Sequence, residues 1–190
     1  DGKDLVFPEK GSPQGSVISP LLANVYLHVV LDEWFAEVVT AHCRGKVVMY
    51  RYADDFVIGC ELESDARRIM DALPKRFARY GLEINREKTK LVDFRRPRRG
   101  YDPKKHGPKP DTFSFLGFTY YWGKTWKGGY TIKRKTETKR MFRKVRDIWE
   151  WCRDNRHLPL KEQYAILCAK LQGYYGYYGV RCNSRCLEWV

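Results

Sequence analysis

Asp54 and Asp55 stand side by side in VVMYRYADDFVIGC (47–60), and they are the only charges between Arg51 and Glu61. Apolar, β-prone residues flank them on both sides. In a strand, neighbouring side chains point to opposite faces, so the pair can serve one site only at a tight turn. Two carboxylates held close repel, and one stays protonated unless a cation offsets them. Mg2+ does this well, being a hard ion commonly held by one or two carboxylates together with substrate phosphates. The chemistry such a pair points to is phosphoryl transfer assisted by two metal ions about 4 Å apart. Asp-Asp also makes an ordinary β-turn, which Asp favours, so the dipeptide alone leaves both readings open.

Charge suggests the partner. The 190 residues carry 36 Lys+Arg against 23 Asp+Glu, a net +13. The excess is local: residues 95–156 hold 19 basic and 6 acidic side chains, whereas residues 1–94 hold 13 and 15. A solvated face normally mixes signs, so a block of one sign reads as a polyanion-binding surface, with nucleic acid as the partner. An anionic membrane fits less well, because no basic stretch has a continuous apolar face and no run approaches the roughly 18 apolar residues of a span. The first residues, DGKDLVFPEKG, resemble neither a signal nor a transit peptide. Opening on Asp, the chain is expected to be a piece of a longer protein. Its six cysteines are expected to be reduced in a cytoplasmic setting. Cys182 and Cys186 have a zinc-compatible spacing, but no second ligand pair follows.

The elements that must position these groups follow from periodicity. GSPQGSVISP (11–20) is a turn-rich loop. A helix follows it, capped by Ser19 and Pro20, with Leu22, Val25, Tyr26, Val29, Trp34 and Phe35 on its apolar stripe, and ends near 42–45. Two strands surround the aspartates. A helix over 64–80 comes next, with Ser64 at its N-cap, Ile69, Leu73 and Phe77 inward, and Gly81 as terminator. GLEINREKTKLVDF (81–94) reads as strand, basic turn, strand. A Pro/Gly/basic loop (95–112) leads into FSFLGFTYYW (113–122), which alternates like a strand and continues into a hairpin through GKTWKGGYTIK. Two helices close the chain, about 136–154 and 160–172, the first with Met141, Val145, Ile148 and Cys152 inward. The order predicts an α+β fold: a two-layer domain over residues 1–125 and a smaller helical one over 126–190.

The motifs in sequence resemble those of the reverse transcriptases. YADD between an apolar strand and FVIG (47–60) is similar to that family's active-site hairpin. GSPQGSVISPLLANVYLHVVLD (11–32) is similar to its PQG motif and following helix, GLEINREKTK (81–90) to its lysine-bearing motif, and FSFLGF (113–118) to its primer-grip hairpin. PQG-x-x-ISPLLAN, with a helical end of the KxxRDIWEWC and LxGYYGYYG type, resembles the group II intron reverse transcriptases, or maturases. The resemblance implies a palm (an antiparallel sheet with helices on one face) followed by a small helical thumb. It implies RNA-directed DNA synthesis on an RNA template and DNA primer from deoxynucleotide triphosphates, two Mg2+ ions, and group II intron RNA as a partner.

By the same resemblance, Asp54 and Asp55 are metal ligands and Lys88 acts on the leaving pyrophosphate. Pro13, Gln14, Gly15, Tyr52 and Ala53 meet the nucleotide and template. Phe115, Leu116 and Gly117 position the primer, and Arg140, Arg143 and Lys144 on the thumb helix follow the duplex backbone. Independently, Gln offers donor and acceptor together, and Gly permits close backbone approach. Lys88 reads equally as a surface lysine and FLG as plain core. Trp122, Trp126 and Tyr130 among Lys and Arg suit a nucleic-acid grip or a core. The tyrosines of GYYGYYG suit packing or binding. The family's third carboxylate lies on a palm strand upstream of PQG, and neither Asp1 nor Asp4 sits in such a motif. The resemblance therefore implies an incomplete metal site in this chain, and a second reading stands beside the polymerase: a maturase remnant that grips intron RNA without chemistry. ISPLLAN and GYYGYYG weigh against a CRISPR-linked or retron relative.

Overall fold

The computed structural model describes residues 18–98, 100–101, 107 and 110–190. The PQG loop with Pro13, Gln14 and Gly15, and much of the basic loop, lie outside the described residues. The chain forms two compact units that divide between Leu91 and Val92. Residue 125, near which the sequence reading puts a division, lies within the second unit. Helices and antiparallel strands are mixed in an α+β arrangement, with one two-stranded and one three-stranded sheet.

In the first unit, helix α1 runs over 19–42. Ser19–Leu27 is α-helical, His28–Glu33 and Phe35–Val39 are π-helical, and Thr40–His42 is α-helical again. Pro20 sits in the first turn as expected, but Ile18, without a side-chain hydrogen bond, holds the N-cap position, and Ser19 is already inside the helix. The buried stripe is Val30, Leu31, Phe35 and Val39. The expected Leu22, Val25, Tyr26 and Val29 are exposed. A π-turn bonds i to i+5 and is wider than an α-turn, so the face presented to the core shifts away from the 3.6-residue register. Arg76 takes the carbonyls of Val30 and Val29 at 2.9 and 3.2 Å.

Strands β1 (Val47–Tyr52) and β2 (Asp55–Cys60) pair antiparallel from Val47↔Cys60 to Tyr52↔Asp55. Helix α2 (Glu63–Ala78) adds Ile69, Leu73 and Phe77 to the core, as its spacing predicts. Val47, Met49, Phe56 and Ile58 from the hairpin pack on the same cluster. Ser64 is not the N-cap, which Leu62 occupies. The neighbouring Asp65 takes the structural role: buried, it accepts the backbone N–H groups of Arg44 and Gly45 at 3.0 and 2.9 Å. This fixes the turn that feeds β1.

The strands expected over 81–94 do not form. Leu82 and Ile84 alternate inward onto the core. The peptide groups that would have continued a ladder are then diverted into a turn. The Asn85 carbonyl accepts from Lys88 N–H and Thr89 N–H at 3.2 and 3.0 Å, and the Thr89 hydroxyl donates to the same carbonyl at 2.8 Å.

The second unit holds β3 (Phe113–Phe115), β4 (Phe118–Lys124) and β5 (Tyr130–Thr136), in the order β3-β4-β5 and all antiparallel. Helices α3 (Thr138–Asp154), α4 (Leu160–Tyr178) and α5 (Ser184–Leu187) follow. α4 continues past the expected stop at 172, through Gly173 and Gly176. Glycine disfavours a helix by about 1 kcal/mol. That cost is outweighed by burial of Tyr174 and Tyr178, which with Phe118 form the core of the unit. Asn183, fully buried, joins the end of β5 to the end of α4. Its Oδ1 accepts from Thr136 N–H at 2.7 Å, and its Nδ2 donates to the Thr136 hydroxyl and the Tyr178 carbonyl, both at 2.8 Å. All six cysteines are free. Among the described residues no helix is long and apolar enough to cross a membrane.

Candidate active site

The pairing of Tyr52 with Asp55 leaves a two-residue loop, Ala53-Asp54. Ala53 has φ +53°, while Asp54 keeps a negative φ, the sign pattern of a type II′ hairpin turn. Glycine is the usual residue there, and an L-residue pays roughly 1–2 kcal/mol to enter the left-handed region. Arg51 holds the strained residue in place by donating from Nη1 to the Ala53 carbonyl at 2.9 Å. The same guanidinium reaches Asn24 Oδ1 at 2.9 Å and grips Asp32 through Nε–Oδ1 at 2.7 Å and Nη2–Oδ2 at 2.5 Å. One cation thus ties the Ala53-Asp54 turn to α1 at two points.

The electrostatics agree with this tie. The Arg51 side chain is only 14% exposed, since β1 turns Val47, Met49 and Arg51 inward. The hydrogen-bonded guanidinium holds the Asp32 carboxyl below the usual range, and Asp32 in turn raises Arg51. Forked Arg–carboxylate pairs are among the stronger and more orienting charged contacts. Sequence reasoning missed Arg51, Asn24 and Asp32. The signal was a lone cation at an inward position of an alternating strand, which requires a buried partner.

Asp54 and Asp55 themselves are exposed, and among the described residues neither carboxylate accepts a hydrogen bond or forms an ion pair. Tyr50 and Tyr52 are exposed on the strand that leads to them. Lys88 is exposed in the Asn85 turn, its backbone N–H accepted by Asn85 O and Oδ1, each at 3.2 Å. No hydrogen bond or ion pair joins its side chain to the hairpin carboxylates. Among the described residues no group of three acidic, His or Cys side chains could hold a metal ion.

In the second unit Phe115 pairs with Phe118 across another two-residue loop, Leu116-Gly117, with φ +50° and +75°. Positive φ at both positions marks a type I′ turn. The turn is pinned on both sides: the Tyr177 hydroxyl donates to the Leu116 carbonyl, and Glu137 N–H to the Gly117 carbonyl, each at 2.9 Å. A Cβ on Gly117 would stand 2.8 Å from the Tyr178 hydroxyl. Phe118 stacks on Tyr177 with centroids 5.8 Å apart.

The three cations of α3 differ in their surroundings. Arg140 forms an ion pair with Glu137 at 3.4 Å. Lys144, half-buried, sits 5.9 Å from the Tyr174 ring centroid. Arg143 is exposed, with no partner among the described residues. The aromatic grip also separates. Trp122 donates to the Phe94 carbonyl at 3.0 Å and packs on its ring, and Tyr130 is buried. Trp126 alone of the three faces solvent fully.

A tight hairpin turn in the first unit thus presents two unpartnered carboxylates to solvent. The model of the reverse transcriptase (RNA-dependent DNA polymerase) family matches residues 2–120, more than half of the chain, and the chain belongs to that family. The match takes in the YADD hairpin, Lys88 and the Phe115–Gly117 turn and ends within β4. No curated protein matches the chain. Membership makes a nucleic-acid template, a primer and nucleotides the general substrates.

Proposed function

We propose that the chain is the palm-and-thumb portion of a group II intron-type reverse transcriptase, in which residues 1–125 act as palm and 126–190 as thumb. The single observation that carries this reading is the YADD turn: a preformed loop, tied by Arg51 to α1, with both carboxylates free. The intron-type refinement rests on PQG-x-x-ISPLLAN and GYYGYYG.

Two exposed carboxylates without protein partners supply the hard oxygen donors that Mg2+ takes, so Asp54 and Asp55 fit the metal. When bound, the two ions would stabilise the attacking and leaving oxygens of an in-line displacement. The remaining duties belong to the chain. Arg51 holds the turn so that Asp54 and Asp55 keep one geometry through the reaction. Tyr52, Ala53 and the Pro13–Gln14–Gly15 loop border the nucleotide and template. Lys88 donates charge or a proton to the departing pyrophosphate. The Phe115–Leu116–Gly117 turn sets the primer end, and Arg140, Arg143 and Lys144 follow the backbone of the template–primer duplex.

A second reading is suited equally by the basic block over 95–156, with 19 basic and 6 acidic side chains: a maturase remnant that holds intron RNA and performs no synthesis. Primer extension on an RNA template with Mg2+, by the 190-residue chain and its Asp54→Asn variant, separates the two. Extension that Asp54→Asn loses is the expected result for the polymerase. No extension, together with tight and salt-sensitive RNA binding, assigns the chain to the RNA-gripping reading.

A further inference from the structure

Trp126 is 93% exposed, more than any other large apolar side chain among the described residues. Tryptophan is on average well buried, so a fully presented indole calls for a partner. The loop that carries it, between β4 and β5, cannot simply fold it away. Thr125 N–H donates to the Gly129 carbonyl at 2.8 Å, Gly128 N–H to the Thr125 carbonyl at 3.1 Å, and Gly129 N–H to the Thr125 hydroxyl at 3.1 Å. Gly128, at φ +77°, closes the turn. The tip is therefore a hydrogen-bonded knuckle with an aromatic plane held outward.

Its electrostatic setting is one-sided. Residues 112–136 contain five cations, Lys124, Lys127, Lys133, Arg134 and Lys135, and no acid. Lys124 and Lys127, on either side of Trp126 in sequence, are exposed. A protein-docking tryptophan is normally the centre of an apolar patch with a polar rim, whereas this one has threonine and lysine as chain neighbours. An aromatic plane amid lysines matches an unpaired nucleobase with its phosphates: the base stacks and the cations neutralise the backbone.

We propose that Trp126 is a stacking platform for an unpaired base of single-stranded RNA, with Lys124 and Lys127 on the adjoining phosphates. The inference rests on the nucleic-acid reading above and adds to it a site and a strand type. Its test is equilibrium binding of the 190-residue chain to a 12-nucleotide single-stranded RNA and to a blunt RNA duplex, over a range of salt. Because the indole contacts almost nothing, Trp126→Ala should keep the wild-type melting temperature.

Trp126→Ala is expected to weaken single-strand binding by about 5- to 150-fold with an unchanged salt slope. Trp126→Phe should recover most of the affinity, and duplex binding should be unaffected. The double variant Lys124→Gln/Lys127→Gln should lower the salt slope by about 1.4, at roughly 0.7 per phosphate contact on a single strand. Trp126→Ala binding within twofold of wild type while salt-sensitive binding persists would overturn the stacking site and leave the nucleic-acid reading standing. An equal loss on the duplex, or a loss of self-association in sedimentation with RNA binding intact, would also overturn it. Salt-independent or absent RNA binding by the wild type would instead bring down the broader reading.

Discussion

The YADD hairpin shows how one cation can hold a strained turn. Arg51 supports Ala53 in a conformation that an L-residue avoids, and it does so from a nearly buried position. Arg51→Met should remove the forked partner of Asp32, leaving it the 3.3 Å contact with His28 Nδ1, and release the Ala53 carbonyl. The expected cost is about 1–3 kcal/mol, since a part-buried charged hydrogen bond is lost and the Ala53 carbonyl loses its donor, and a denaturant melt measures it. The same pair sets a pH dependence. Asp32 titrates below its ordinary value in the folded state, so its stabilisation is present above the unfolded carboxyl pKa of about 4 and fades as pH falls through the lower folded value. Wild type should therefore exceed Asp32→Asn in stability at neutral pH, and the gap should close in acid below about pH 4. A gap that stayed constant with pH would mean the carboxylate charge is not what Arg51 uses. At the site itself, Asp54→Asn should abolish extension in any active form of the polymerase and leave the melting temperature near wild type, because the carboxylate has no intramolecular partner.

Elements were legible in the sequence where a single period ruled them. The strands around Asp54 and the stripe Ile69, Leu73 and Phe77 on α2 follow from local spacing, whereas the single strand expected over 113–122 is broken by the Leu116-Gly117 turn into β3 and β4. Failures occurred where backbone geometry, a local side-chain turn or a tertiary contact overrode the apolar period. The π-helical turns of α1 shift its inward face, Asn85 diverts 85–89 into a turn, and Tyr174 and Tyr178 carry α4 through two glycines. Buried polar staples were invisible for the same reason, since Asp65 and Asn183 find their partners 20 and 47 residues away. Asn183→Ala removes three hydrogen bonds and leaves the Thr136 N–H buried without an acceptor, so a loss of about 2–4 kcal/mol is expected in a thermal melt. On α3, the cations should separate by their surroundings. Arg143→Gln should lower the salt slope of duplex binding by nearly one, while Lys144→Gln should act more on stability, through its contact with Tyr174. Equal slope changes for the two would show that Lys144 leaves the ring when nucleic acid binds.

Across the whole molecule, charge and compactness divide at the same place. Residues 92–190 carry 23 basic and 9 acidic side chains, whereas residues 1–91 are nearly neutral with 13 and 14. The segment 92–190 also has its own aromatic core and its own sheet. Expressed alone, it should unfold cooperatively and keep most of the salt slope of the full chain toward RNA, because nearly all the excess charge is within it. A slope reduced by half or more would place the binding cations elsewhere. Within this unit the pinned FLG turn has a mechanical meaning. Leu116 and Gly117 hang by their carbonyls from Tyr177 at the end of α4 and from Glu137 at the entrance to α3. A tilt of those helices must drag the turn with them, so whatever strand end rests on the turn would feel the closing of the helical arm as a displacement, like the short end of a lever.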